Sequence, residues 1–143
     1  MTDSLYSAVD YREPGLRGEL ERVHPRLLDV LFDLVHVWPR RPVITSVERH
    51  AGQDGVMGAA SPHTTKPCRA CDIRTHDVAE LQVINAASFL NRRWAYDPGR
   101  PLKMVAVVET GLTPGATGPH LHIQVHDATV LRAEWLPPHP ELL

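Results

Sequence analysis

Residues 120 to 126 read HLHIQVH, a strict alternation of polar and apolar side chains. Successive residues of a β-strand point to opposite faces. Leu121, Ile123 and Val125 therefore share one face, and His120, His122, Gln124 and His126 share the other. A strand of this kind fits a sheet with one face on a core and the other lining a cleft or meeting water. At 143 residues the chain has room for one ordinary domain. Its 43% hydrophobic content supplies a core and excludes wholesale disorder.

The rest of the sequence fills in such a domain. Residues 1–17 are polar, broken by Pro14-Gly15, and read as a tail or surface wrap. Residues 18–136 read as the single domain, and the proline-rich 137–143 as a C-terminal tail. His24-Pro25 opens a helix with Leu27, Leu28, Leu31, Leu34 and Val35 at helical spacing; Pro39 follows its end. Residues 42–47, PVITSV, read as a strand. A long Gly-, Ala- and Pro-rich loop runs from 48 to 67, and such loops are often functional. A short strand is expected at 69–73. A helix at 76–93 follows, capped by Thr75, with Val78, Leu81, Ile84, Ala87 and Leu90 inward. Lys103 to Glu109 is a further strand, joined through a Gly/Pro/Thr loop to 120–126. Trp94 and Tyr96 are read as packing under the sheet. The fold class expected is α+β: a small, largely antiparallel sheet with helices on one side.

Charge and composition narrow the function. Fifteen Lys+Arg against 17 Asp+Glu leave a formal charge of −2, which argues against a nucleic-acid binder. No apolar run reaches the ~18–20 residues of a membrane span, and the N-terminus lacks the pattern of a secretory signal. Synthesis and retention in the cytoplasm are the expectation, unless other proteins release the chain. Nine His against two Cys point to imidazole chemistry, through a metal or proton transfer.

On its own, H-x-H on a strand face reads as a solvated face. A second segment, SPHTTKPCRACDIR at 61–74, changes that balance. His63 and Asp72 there, with His122, make two imidazoles and one carboxylate, a standard zinc set that leaves the fourth position for water.

At these residues the chain resembles the LAS metallopeptidases. These are the D-alanyl-D-alanine metallopeptidases, with relatives among lysostaphin-type endopeptidases and the hedgehog signalling domain. The carboxypeptidase branch carries S-x-H-x-x-G-x-A-x-D and a late H-x-H. Ser61, His63, Ala70 and Asp72 match in order, and His120-Leu121-His122 supplies the late element. Ser46, Arg49 and Gln53 stand near the spacing of an upstream S-G-Y-R…Q. The likeness spans about residues 43–126 and is closest to small phage or prophage members. It implies a LAS/hedgehog-like fold and one Zn²⁺ per chain on His63, Asp72 and His122. It also implies hydrolysis of peptidoglycan stem peptides or cross-links, with Arg49, Gln53 and Ser61 on the substrate side and Arg49 as carboxylate anchor. Release to the cell wall or a place in the virion is the implied setting.

Three departures stand out. The loop from His63 to Asp72 is two residues longer than usual, and Cys68 replaces a Gly. The catalytic acid is missing from Ala116, Thr117 and Gly118. Glu109, at the end of the preceding strand, is the nearest replacement, and His120 is the alternative base. The missing acid also motivates another reading, a non-catalytic, zinc-stabilised binding or virion protein of the same fold.

Pro67-Cys68-x-x-Cys71 half-matches a zinc deaminase, but the required H-x-E is absent, since His50-Ala51-Gly52 ends in Gly. Cys71 and Asp72 are adjacent in a strand and should face opposite ways, so Cys71 reads as a buried small residue. Cys68 stays open, with a Cys68–Cys71 disulfide the less favoured choice. His24, His36 and His139 read as surface or capping residues, and His50 and His126 as neighbours of the site.

Overall fold

The structure, a computed structural model, describes residues 2–49, 61–111 and 118–132. Gln53, His50, Ala116, Thr117 and His139 lie outside the described residues.

The chain runs through α1 (Thr2–Ser7), β1 (Asp10–Tyr11), α2 (Gly15–Leu20), α3 (Pro25–Val37), β2 (Val43–Ser46) and β3 (Ala70–Arg74). It continues through α4 (Glu80–Arg93), β4 (Trp94–Ala95), β5 (Ala106–Glu109), β6 (His120–Gln124) and β7 (Val130–Leu131). Five strands form one sheet in the order β1-β2-β3-β6-β5, and β4 pairs with β7 in a second. Among the described residues the short β1–β2 strand pair is parallel, as is an isolated bridge between Val23 and Cys68, and the other four strand pairs are antiparallel. The α+β class and the largely antiparallel sheet are as expected.

The alternation of β6 is realised. Leu121, Ile123 and Val125 are fully buried, as are Cys71 and Ile73 of β3, beside core residues of α3 and α4. Helix α3 buries Leu27, Val30, Leu31 and Leu34. Its first turn is capped by His24, whose Nδ1 accepts from the Arg26 N–H at 3.1 Å, with Pro25 in the first turn. Asp33 on α3 accepts from Arg93 Nε at 2.6 Å and from Trp94 Nε1 at 2.8 Å, tying α3 to the end of α4. The Asn91 side chain exchanges two 2.9 Å hydrogen bonds with the Ala106 backbone, fixing α4 against β5. Trp94 and Tyr96 are both buried.

Two elements differ from expectation. Helix α4 begins at Glu80; Ala87 and Leu90 are buried as expected and Val78 packs partly buried ahead of it, but Val83 and Ala86 take the inner positions expected of Leu81, 68% exposed, and Ile84, 46% exposed. The helix carries two apolar stripes. The one containing Val83 and Ala86 is buried in place of the bulkier Leu81 and Ile84. Thr75 does not cap it; the N-cap is Ala79, without a side-chain bond. The N-terminal segment, read as a tail or wrap, is built into the domain. Leu5, Val9 and Leu16 join the core, and β1 aligns Asp10 with Val43 and Tyr11 with Ile44.

The β5–β6 hairpin is drawn together at Gly111 and Gly118, both with positive φ. A Cβ on Gly111 would stand 2.9 Å from the backbone of Gly118 and Pro119, so only glycine fits this closure.

Candidate metal centre

Strands β3 and β6 pair so that Asp72 lies opposite His122, and Arg74 opposite His120. Residues opposite one another in an antiparallel pair project to the same face. Asp72, Arg74, His120 and His122 therefore stand together on the face away from the core. His63 arrives from the loop before β3. Its backbone N–H donates to Ser61 Oγ at 3.2 Å, and its carbonyl accepts from the Arg49 N–H at 3.1 Å. Ser61 thus shapes the turn that aims His63.

His63, Asp72 and His122 each offer a ligand atom within 4.8 Å of the others, and His63 and Asp72 are buried. The surrounding hydrogen bonds decide what those atoms carry. His63 Nδ1 is 2.6 Å from the Val47 carbonyl, which can only accept, so Nδ1 holds the hydrogen and Nε2 presents a lone pair. That Nε2 is buried without a hydrogen-bond partner. It lies 3.3 Å from Asp72 Oδ1. Gln124 donates its Nε2 to the Met104 carbonyl at 2.8 Å, which turns its Oε1 toward His122. His122 Nε2–H then donates to Oε1 at 3.1 Å, leaving its Nδ1 lone pair 3.0 Å from Asp72 Oδ1.

Three lone pairs therefore converge with no proton assigned between them. Either protons on the imidazoles or a metal cation must separate them. Ligands at 2.0–2.1 Å around a tetrahedral ion stand roughly 3.3 Å apart, close to the 3.3 Å and 3.0 Å that separate Asp72 Oδ1 from the two imidazole nitrogens. The donor set suits zinc, and the two carbonyl-type acceptors behind His63 and His122 are the outer partners such ligands need. Burial would raise the Asp72 carboxyl, but in the alternative where the imidazoles carry the protons, hydrogen bonds from His122 and His63 and the charges of His63 and His120 hold it well below the usual carboxylate range. It stays ionised and ready to ligate.

Arg49 is placed differently from a free anchor. Its Nη2 contacts Asp72 Oδ2 at 2.5 Å and its Nε donates to Ser46 Oγ at 3.0 Å. The guanidinium clamps one carboxylate oxygen and leaves Oδ1 for the cluster.

His120 Nδ1–H donates to the Gly118 carbonyl at 2.8 Å, so its Nε2 lone pair is free; it stands 3.6 Å from Asp72 Oδ1. Glu109 is opposite His120, and Val107 opposite His122. A groove of about 380 Å³ opens beside the cluster, walled by Arg12, Ser46, Arg49, Arg74 and His120 among others. Asp72 is the one carboxylate in that wall among the described residues.

The cysteines stand apart. Cys71 is buried in the core, and Cys68 lies behind His63, its Sγ 3.5 Å from the Val47 carbonyl. Both are free thiols. Burial pushes both up from the ordinary thiol range, Cys71 furthest. No cysteine belongs to a metal-capable cluster among the described residues, which leaves the deaminase reading without its ligands.

Comparisons with protein-family models, curated proteins and solved structures return no match. No helix among the described residues is long and apolar enough to cross a membrane. Sequence reasoning missed the outer roles of Gln124, of Arg49 on Asp72 and of the Val47 carbonyl. Gln124 had a signal, since it shares the alternation face with His122.

Proposed function

We propose that this protein is a zinc-dependent peptidase acting on peptidoglycan stem peptides or cross-links, in the manner of the LAS metallopeptidases it resembles. The observation that carries the reading is the convergence of the lone pairs of His63 Nε2, Asp72 Oδ1 and His122 Nδ1 beside an open groove. One zinc ion, when bound there, would polarise a scissile carbonyl and acidify a water.

The chain's own residues supply the rest. Val47 and Gln124 fix the tautomers of His63 and His122, and Arg49 fixes Asp72. His120 takes the water's proton on Nε2 and returns it to the leaving amine. It fits this role because its other nitrogen is committed to Gly118, and its ring is half-buried on the groove wall. Glu109 sits across the ladder from His120 and serves as the alternative base.

Purified protein should carry about one zinc per chain and release new amines from peptidoglycan, an activity abolished by chelation and restored by Zn²⁺. His63→Ala should lose both metal and activity. His120→Gln should keep zinc and lose turnover, while Glu109→Gln keeps both; the reverse pattern moves the base to Glu109. Stoichiometric zinc in His63→Ala would refute the ligand set. A second reading, a zinc-stabilised binding or virion protein, is favoured by the lack of a carboxylate other than Asp72 in the groove wall among the described residues. Full zinc occupancy without amine release would establish it.

A further inference from the structure

We infer that Arg74, rather than Arg49, is the anion receptor of the groove, and that it selects peptides with a free carboxylate one or two residues beyond the attacked carbonyl. The inference rests on the peptidase reading above and names the substrate chemistry of the same groove.

The placement of the two arginines carries it. Arg49 is half-buried and already engaged, with Asp72 Oδ2 at 2.5 Å and Ser46 Oγ at 3.0 Å. A substrate carboxylate on Arg49 would have to compete with a buried anion that the proposed metal centre itself needs. Arg74 has no such commitment: its guanidinium makes no hydrogen bond or ion pair among the described residues. It is half-buried in the groove wall, where an unpaired guanidinium awaits an anion. A fork of N–H donors suits a carboxylate.

Register gives the distance. Arg74 lies two residues beyond Asp72 on β3, hence on the same face, and directly across from His120. Two residues of strand span ~6.6–7 Å. One residue of extended peptide spans ~3.3–3.6 Å. A carboxylate one or two residues from a carbonyl held at Asp72 and His120 therefore falls within reach of the Arg74 side chain.

The surrounding field agrees. Arg12, Arg49 and Arg74 line the groove, where Asp72 is the one carboxylate among the described residues, with Glu13 beside Arg12 at 3.6 Å, and His76 is a further wall residue. The whole chain is net negative at −2, so this positive wall is local. A cleft lined by one sign of charge concentrates ligands of the other.

The test uses the zinc-loaded full chain and two probes, N-acetyl-D-alanyl-D-alanine and its C-terminal amide, with binding followed by shifts of backbone amide resonances. The acid should bind about tenfold more tightly than the amide. Arg74→Gln should erase that preference, and Arg74→Lys should restore part of it, with zinc content and melting temperature unchanged in both. Equal binding of acid and amide, binding of neither, or a preference that survives Arg74→Gln overturns the assignment. Release of D-alanine is read separately. An intact acid preference without any release would sink the peptidase reading and leave the Arg74 subsite standing.

Discussion

Cys71 and Asp72 are neighbours in β3, yet they belong to different chemistries. Cys71 looks into an apolar layer with Ile73, Leu121 and Ile123, where burial keeps its thiol protonated. Asp72 looks into a layer of His63, His120, His122 and Arg49, where every neighbour favours its charge. Both residues are almost fully buried. Burial alone therefore does not decide what a group becomes; the partners on its face do. One ladder serves as a wall of the core on one side and as a rigid mount for a polar cluster on the other.

The contrast predicts that substitutions on the two faces will fail differently. The largest effect belongs to the core face: Leu121→Ala should cost ~2–5 kcal/mol in denaturant unfolding. The chains that remain folded should still bind zinc stoichiometrically. Loss of metal from folded Leu121→Ala would show the two faces to be less independent than the ladder suggests. On the polar face, Gln124→Leu removes the acceptor that sets the His122 tautomer. Zinc affinity should fall ~10–100-fold in a chelator competition, with a smaller change in the stability of the metal-free protein. An unchanged zinc affinity would mean that Gln124 does not orient the ring. The smallest effect tests a residue the ladder does not reach: Leu81→Glu, on the exposed stripe of α4, should change stability by no more than ~0.5 kcal/mol. A loss of several kcal/mol would put Leu81 back in the core.

Much of this was legible where structure repeats locally. The period of two in residues 120–126 marked both faces of β6, and the Pro25 start with its leucine spacing marked α3. The cluster was legible as a residue set, because the segments 61–74 and 120–126 resemble the LAS motifs and together pick out His63, Asp72 and His122. The phase of α4 was not, since two stripes on one helix compete and only the docking surface chooses. Nor was the parallel β1–β2 pair, which joins Tyr11 to Ile44 across intervening helices that no local pattern spans. Arg49 was legible as a charge near the site. Which anion it holds depends on the turn carrying it back to Asp72, a tertiary fact.

The proposed ligands also lie far apart along the chain, at residues 63, 72 and 122. A single ion held by them would act as a reversible cross-link between the long loop and the β5–β6 hairpin. Anything that binds only the folded state adds RT ln(1 + [L]/Kd) to its stability, ~2.7 kcal/mol at a hundred times Kd. The lifetime of this chain against proteases would then follow the free zinc around it, so that moving between metal-poor and metal-rich surroundings alters its persistence as well as its activity.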